Sequence, residues 1–227
     1  MLIIFDLYDT IIDTSGSIIP FRLKKALDVM IQDGLKVDDR LSAYQKMIEL
    51  DQNAHNSKEA LKSFLESIDQ EKFYPSGHAV IYKDKDFSFP IQTTTNAKII
   101  LENLAHDYDL ALVSYGERDI QLLKMEKAGI DTTLFSTIII CQEPDKSKSY
   151  RSLKDLTLTQ DDKVIVVGDR IERDLLPAKE LGFTTVLMKW GRGILQDEKS
   201  RVVDYTITSL EQLMAVLNDV KKNKENM

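Results

Sequence analysis

The chain has 227 residues, of which 43% are hydrophobic and 30% are charged, an ordinary balance for a globular protein. This length allows either one large domain or a core with a smaller domain added to it. The net charge of −7 and the pI of about 5.1 argue against a nucleic-acid partner, whose phosphate backbone an acidic protein repels. Cys141 is the single cysteine, which excludes an intramolecular disulfide and a thiolate zinc cluster.

Membrane association is not indicated by the hydropathy pattern. Apolar runs in the sequence stay well short of the roughly 20 residues that a membrane-spanning helix needs. The first apolar run, residues 2–5, is short and is followed at once by acidic residues, which does not suit a secretion signal. We therefore expect a cytoplasmic protein without a membrane partner.

In chain order, the pattern begins with one strand, continues with a helical segment, and then alternates between strand and helix. The first strand is predicted over residues 2–5, and residues 14–86 contain amphipathic helices at about 20–33, 38–50 and 57–68 with a shorter element after them. Short runs rich in Ile, Leu and Val then predict strands at 110–113, 137–140, 164–167 and 184–188, with a weaker one at 205–207. Helical spacing of apolar residues appears at 96–105, 117–128, 172–181 and 209–218.

This alternation predicts an α/β protein with a Rossmann-like parallel sheet, covered by helices on both faces. Residues 1–13 and 87–227 would form the α/β core domain, and residues 14–86 would form a small helical domain inserted after the first strand. In an alternative interpretation, the inserted helices simply complete one compact domain.

Polar residues follow the predicted strands, where an open parallel sheet binds its ligands. Four strands contribute them in turn: Asp6 and Asp9; Ser114, Tyr115 and Gly116; Lys146 and Lys148; Gly168, Asp169 and Asp174. A single Asp at a strand end is commonly a turn residue. The joint occurrence at several strands instead indicates a reaction centre.

Four carboxylates in one pocket require a cation. At about 4 Å and an effective dielectric constant near 20, each like-charged pair costs on the order of 4 kcal/mol. All the candidate ligands are oxygens, and no Cys/His set accompanies them, which favours Mg²⁺ over zinc. The metal and a lysine could together neutralise a transferring phosphoryl group.

Four segments of the sequence resemble the motifs of the haloacid dehalogenase superfamily of aspartate-nucleophile hydrolases. FDLYDT at residues 5–10 resembles the first motif, and residues 166–183, with Gly-Asp followed by a second Asp five residues after the first, resemble the fourth. Residues 112–130 and 141–147 are similar to the regions of the second and third motifs and occur in the right order. The resemblance implies that family's core with a helical cap domain inserted at residues 14–86.

The catalytic roles come from this resemblance. It implies that Asp6 is the nucleophile that forms an aspartyl-phosphate and that Asp9 is the acid and base that serves the leaving group and then water. Lys146 would neutralise the nucleophile and the phosphate, with Lys148 as the alternative for this role.

The binding roles are implied in the same way. Ser114 would donate a hydrogen bond to a phosphate oxygen, helped by the backbone amides of Leu7, Tyr115 and Gly116. Mg²⁺ would be held by Asp6, by the main-chain carbonyl of Asp9 and by Asp169, with Asp174 binding through water or orienting the site. Two arginines of the insertion, Arg22 and Arg40, are candidates for contacting an anionic substrate group, although helix arginines are usually solvated.

The resulting hypothesis is a Mg²⁺-dependent phosphohydrolase that cleaves a small phosphorylated metabolite through an aspartyl-phosphate. Alternatives within the family are a haloacid dehalogenase and a phosphonate-cleaving hydrolase. The resemblance disfavours the dehalogenase, because a halide leaves without a proton and needs no acid at Asp9. Non-enzymatic alternatives are a phospho-accepting receiver module and a degenerate member kept for binding. The sequence does not indicate an oligomeric state.

Overall fold

The computed structural model describes residues 1–157 and 163–225 and divides the chain into two compact units. The first unit contains Met1–Asp13 and Ile91–Met227, and the second unit is Thr14–Pro90. Each has a hydrophobic core of its own. Within the described residues, none of the helices is both long enough and apolar enough to cross a membrane.

The first unit is built on a six-stranded, all-parallel sheet with the strand order β3-β2-β1-β4-β5-β6. Its strands are β1 (Leu2–Phe5), β2 (Asp109–Tyr115), β3 (Thr137–Cys141), β4 (Val164–Gly168), β5 (Thr184–Met188) and β6 (Tyr205–Ile207). Every residue of β1 and of β4 is buried, as expected for central strands that are covered on both faces. The predicted α/β fold with a Rossmann-like parallel sheet is confirmed.

The second unit is helical, with α1 (Ile19–Gln32), α2 (Arg40–Asn53), α3 (Ser57–Glu66) and α4 (Tyr74–Tyr82). Its core is formed by the apolar faces of these helices, including Leu27, Met47 and Phe64. Side chains cap two of the helix starts: Asp39 accepts from the amide of Ser42, and Asn56 accepts from the amides that open α3.

The second unit extends to Pro90, four residues beyond the predicted boundary at 86. Residues 87–90 belong to it because their aromatic side chains pack there. Phe89 stacks on Phe21 with the ring centroids 3.9 Å apart, and the guanidinium of Arg22 lies 4.7 Å from the centroid of the Phe87 ring. The prediction placed these residues in the α/β core domain, because the partners of the two phenylalanines lie more than sixty residues earlier and give no local signal.

The helices of the first unit are α5 (Ala97–Ala105), α6 (Arg118–Lys127), α7 (Ser147–Thr157), α8 (Leu176–Glu180) and α9 (Leu213–Glu225). The segment predicted as one helix over 172–181 has two parts, a π-helical turn at Ile171–Leu175 and then the short helix α8. Pro177 stands in the first turn of α8, where its missing N–H does no harm.

Candidate active site

The register of the central strands brings the polar strand ends together. Phe5 is level with Leu112 on β2 and with Val167 on β4. Asp6 follows Phe5 directly, and its amide donates to the carbonyl of Val167 at 2.9 Å. Ser114 lies two residues beyond Leu112, so the loop after β1 is flanked by the residues that end its two neighbouring strands.

Three carboxylates cluster at this edge of the sheet. One oxygen from each of Asp6, Asp169 and Asp174 lies within 4.8 Å of the other two, and all three residues are buried. The ammonium of Lys146 joins them, with its Nζ 2.5 Å from Asp6 Oδ1 and 2.6 Å from Asp174 Oδ1. Asp6, Lys146, Asp169 and Asp174 are called the acidic cluster below.

The charges in the acidic cluster perturb one another. Burial raises the pKa of Asp6 to about 6, since the loss of hydration outweighs the attraction of Lys146. Burial and the neighbouring carboxylates of Asp174 and Asp6 raise the pKa of Asp169 well above its usual range. Burial disfavours the Lys146 ammonium, but Asp174 and Asp6 overcome this and raise its pKa. Arg170 adds a second cation at the edge of the cluster, since its Nε lies 3.1 Å from Asp169 Oδ2. Two cations thus face the three carboxylates and the nearby Asp9.

This surplus of negative charge fits a divalent metal ion. The three carboxylates offer only oxygen, and their oxygens are close enough together for a single ion to touch them. Hard cations such as Mg²⁺ prefer such donors. The donor set therefore suits the ion predicted from the sequence.

Asp174 is fixed by the turn that carries it. The π-helical turn Ile171–Leu175 directs Asp174 back towards the end of β4, where its Oδ2 accepts from the amide of Arg170 at 3.0 Å. Gly168 makes room for this arrangement, because a Cβ there would lie 2.5 Å from Asp174 Cβ. The glycine of the Gly-Asp pair is therefore required by close packing.

Asp9 adopts a left-handed backbone conformation with φ of +51°. This conformation is uncommon outside glycine, although Asp tolerates it better than most residues. The surrounding loop holds it in place, since the Asp9 amide donates to the carbonyl of Ile12 and the amides of Ile11 and Ile12 donate to that of Leu7. Among the described residues, the three clustered carboxylates are those of Asp6, Asp169 and Asp174, and the Asp9 carboxylate lies outside this set. It is close enough to contribute to the raised pKa of Asp169.

Ser114 is buried, and its hydroxyl has no hydrogen-bond partner among the residues that the structure describes. A buried polar atom without a partner is uncommon and calls for an explanation, which a bound phosphate oxygen would provide. Tyr115 is 45% exposed. The amide of Gly116, which was predicted to help bind the phosphate, instead donates to the carbonyl of Cys141 at 3.0 Å.

Comparison with known proteins decides the family. The sequence profile of haloacid dehalogenase-like hydrolases matches residues 3–188. The chain belongs to this family. The predicted recognition is confirmed, and the protein is a hydrolase.

Relatives within the family resemble the chain over nearly its whole length. A glyceraldehyde 3-phosphate phosphatase from Pyrococcus furiosus is 28% identical over 226 residues, which cover 95% of this chain and 92% of the relative. The protein of the same name from Methanocaldococcus jannaschii is also 28% identical, over 97% of this chain and 98% of its own. The solved structure of the HAD-hydrolase YfnB from Bacillus subtilis, bound to magnesium, aligns with a TM-score of 0.62 at 18% identity, covering 96% and 98% of the two chains.

The choice between two lysines of the third-motif region can now be made on geometry. Lys146 lies in the acidic cluster, whereas Lys148 is exposed and its Nζ lies 3.6 Å from Glu143 Oε2. The turn at Asp145 explains the difference, because its carboxylate accepts from the amide of Ser147 and so begins α7 directly after Lys146. In this hydrolase the candidate motif lysine is therefore Lys146.

Sequence reasoning missed two residues that contact the loop of the first motif. Tyr8, between the two acids, donates its hydroxyl hydrogen to Gln121 and accepts a hydrogen bond from Lys124. Both partners lie on α6, more than a hundred residues later. The sequence carries no local signal for this contact, because polar residues at these positions of α6 also fit a solvated helix face.

Proposed function

We propose that this hydrolase is a Mg²⁺-dependent phosphatase of a small phosphorylated metabolite, and that it acts through an aspartyl-phosphate on Asp6. The observation that carries the proposal is the buried Asp6 carboxylate, held by Lys146 beside two further carboxylates and next to the strand that carries Ser114. The two relatives named glyceraldehyde 3-phosphate phosphatase support phosphate chemistry and make that compound the first substrate to test.

In the proposed reaction, a carboxylate oxygen of Asp6 attacks phosphorus and the ester oxygen leaves. Asp9 gives its proton to the departing alkoxide and then takes a proton from water, which attacks the aspartyl-phosphate and releases phosphate. A pKa of about 6 leaves Asp6 ionised at neutral pH and hence competent as a nucleophile.

Charge neutralisation is the other requirement, because an anion attacks an anion. Lys146 supplies one positive charge at Asp6 Oδ1. Mg²⁺ would be held by Asp6 and Asp169, with Asp174 beside them and the main-chain carbonyl of Asp9 as a further predicted ligand, and it would offset the charge of the phosphoryl oxygens. The Ser114 hydroxyl would donate to one of those oxygens.

The helical unit, residues 14–90, is proposed as the cap domain that selects the substrate. Both of its connections leave the core side by side, since the amide of Asp13 donates to the carbonyl of Gln92. The first connection follows directly after the loop that carries Asp9. An insertion at this position favours an enclosed, small substrate.

The enzymatic alternatives differ in what they require of Asp9 and of the cap. A haloacid dehalogenase needs no proton donor for its leaving group, so the acid at Asp9 supports the phosphatase. A phosphonate-cleaving enzyme would need an imine-forming lysine in the helical unit, and none is singled out by its contacts among the described residues. The receiver-module and binding-module alternatives are set aside because the chain is a hydrolase of this family.

The central test compares the wild type with Asp6→Asn, with and without Mg²⁺, on p-nitrophenyl phosphate and on glyceraldehyde 3-phosphate. We expect Mg²⁺-dependent phosphate release that falls by about a thousandfold or more in the variant, because the nucleophile is lost. Equal rates in the two proteins would contradict the assignment of Asp6. Chloride release from 2-chloropropionate in place of phosphate release would support the dehalogenase instead.

A second variant in the same assay separates the role of Asp9. In single-turnover measurements, which report the first step without the later hydrolysis of the aspartyl-phosphate, Asp9→Asn should slow cleavage of glyceraldehyde 3-phosphate more than formation of p-nitrophenolate. The reason is that p-nitrophenolate is a stable anion and departs without a proton, whereas an alkoxide needs one. An equal loss on both substrates would contradict the assignment of Asp9 as the acid.

A further inference from the structure

A buried side chain, Gln121, connects the loop after β1 to the last residue of β2. Gln121 lies near the start of α6 and is only 2% exposed. Its Oε1 accepts a hydrogen bond from the hydroxyl of Tyr8, and its Nε2 donates to the main-chain carbonyl of Tyr115 at 2.6 Å. Both ends of the amide are therefore used, each on a different segment.

The orientation of this amide is determined by its partners. A carbonyl oxygen can only accept, so the nitrogen of Gln121 must face Tyr115 and the oxygen must face Tyr8. The Tyr8 hydroxyl is then the donor to Gln121, and its oxygen accepts from the ammonium of Lys124. Hydrogen bonds thus run in one direction from Lys124 through Tyr8 to Gln121, and the Gln121 nitrogen extends them to Tyr115.

The turn after β2 leaves space for the Gln121 amide. A Cβ on Gly116 would lie 2.5 Å from Gln121 Nε2, and Gly116 has a φ of +138°, which side chains rarely adopt. Any side chain at position 116 would therefore displace the Gln121 amide or the backbone of the turn.

The two segments that Gln121 connects carry the groups assigned to the proposed reaction. Tyr8 lies between Asp6 and Asp9, and Tyr115 directly follows Ser114. We propose that Gln121 is a positioning residue for phosphoryl transfer. It sets the position of the loop that carries Asp6 relative to the Ser114 hydroxyl, which donates a hydrogen bond to the phosphate. This inference rests on the proposed phosphatase function.

Gln121 acts through Tyr8 and Tyr115 and does not itself contact the substrate in this proposal, since its side chain is enclosed. Its loss should therefore affect the rate more than substrate binding. A displacement of about 1 Å between reacting groups can lower a rate by about a hundredfold. We expect Gln121→Met, which keeps the side chain's length and removes both hydrogen bonds, to lower kcat by about 10- to 100-fold with KM within about threefold of the wild type.

Gln70→Met is the matched control. Gln70 also uses both ends of its amide, accepting from the amide of Lys36 at 3.0 Å and donating to its carbonyl at 2.6 Å, but it lies in the helical unit. We expect this variant to keep kcat. If both variants lower only the melting temperature and neither changes kcat, Gln121 has a structural role and the inference is overturned.

Tyr8→Phe provides the second measurement and remains informative if Gln121→Met folds poorly. Alone, Tyr8→Phe should lower kcat with little change in KM. In the Gln121→Met background it should lower kcat only slightly further, because the hydrogen bond between residues 8 and 121 is already lost. Fully multiplicative effects of the two substitutions would contradict the shared role. A wild type without phosphatase activity would refute the proposed function, whereas an active wild type with an unchanged kcat in Gln121→Met and in Tyr8→Phe would refute this inference alone.

Discussion

At the scale of single residues, the site is dominated by negative charge that Lys146 and Arg170 only partly offset. Asp6, Asp169 and Asp174 share a buried space with Lys146. In the absence of metal, the pKa of Asp6 is about 6 because burial penalises its ionised form. A site of this kind binds a cation more tightly as its carboxylates lose their protons.

The first prediction concerns the pH dependence of stabilisation by Mg²⁺. The unfolded-state pKa of Asp is about 3.9, so the metal-free folded protein binds more protons than the unfolded chain between about pH 4 and pH 6 and loses stability over that range as the pH rises. Under the proposed function, Mg²⁺ would bind the ionised carboxylates and remove this penalty. The rise in melting temperature caused by Mg²⁺ should be small at pH 5 and larger at pH 7.5.

The measurement is thermal unfolding with and without Mg²⁺ at the two pH values, with NaCl at matched ionic strength as the control. A rise that is equal at both pH values, or larger at pH 5, would contradict the raised pKa values of Asp6 and Asp169.

A second prediction concerns the lysine of the acidic cluster. Lys146→Met removes a buried ammonium that contacts two carboxylates, and breaking such a pair typically costs about 3 kcal/mol or more. We expect a lower free energy of unfolding and a strongly reduced kcat. Lys148→Met is the control, and since its side chain is 86% exposed it should change neither quantity appreciably. Urea denaturation and phosphate release measure the two effects, and a larger effect of Lys148→Met would reverse the assignment.

Residues next to strand ends could be placed from the sequence, and residues that act across the fold could not. Asp6 and Asp169 directly follow apolar runs, so the topology of a parallel sheet already implied their proximity. Gln121 and the choice of Lys146 over Lys148 depend on packing and on a turn. The suggestion that Arg22 contacts substrate is not supported, because its guanidinium is buried and donates to the carbonyls of Val80 and Asp86 within the helical unit.

At the scale of elements, the connection after β4 shapes the site. A π-helical turn accommodates one more residue than an α-helical turn, and such turns are frequent at functional sites. Here the turn places the Asp174 side chain in close contact with Gly168, at the end of β4. The apolar runs predicted all six strands, most clearly the central strands β1 and β4, which are buried along their whole length, and more weakly the edge strand β6. The π-helical turn has no such pattern, and it depends on the hydrogen bond from Arg170 to Asp174.

The third prediction tests this close packing. Gly168→Ala places a methyl group 2.5 Å from Asp174 Cβ, so Asp174 must move. We expect weaker Mg²⁺ binding as well as lower stability. Gly182→Ala is the control, because a Cβ at 182 meets nothing within 4 Å but must adopt a φ of +80°, which costs about 1 kcal/mol of stability without touching the site. Mg²⁺ titration calorimetry on both variants distinguishes them, and equal affinities would contradict the packing argument.

At the scale of the whole molecule, the chain consists of two units with separate cores. The carboxylates of the acidic cluster all belong to the first unit. In the second unit, the Arg22 guanidinium forms an ion pair with Asp84 at 3.1 Å and donates a hydrogen bond to the carbonyl of Asp86, near the end of this unit. The presence and position of this helical insertion followed from the break in strand–helix alternation, but its final residues did not.

The fourth prediction concerns the independence of the two units. Arg22→Met should lower the stability of the helical unit by about 1 to 3 kcal/mol, because it removes a buried guanidinium that donates to the carbonyls of Val80 and Asp86 and leaves them without this donor. Lys25→Met, whose side chain is 34% exposed and contacts the same Asp84, should cost less than about 1 kcal/mol. Differential scanning calorimetry measures both. The affinity for Mg²⁺ should be unchanged in each variant, and a loss of affinity in Arg22→Met would contradict the separation.

The bond between Trp190 and Asp13 gives the molecule a built-in optical probe. Trp190 is the sole tryptophan of the chain, and its indole Nε1 donates to Asp13 Oδ1 at 2.8 Å. Asp13 is the last residue of the first unit before the helical insertion begins. Because the emission of an indole depends on its hydrogen bonding and hydration, intrinsic fluorescence of the unmodified protein reports from a single, known point in the first unit, at the residue where the chain leaves it.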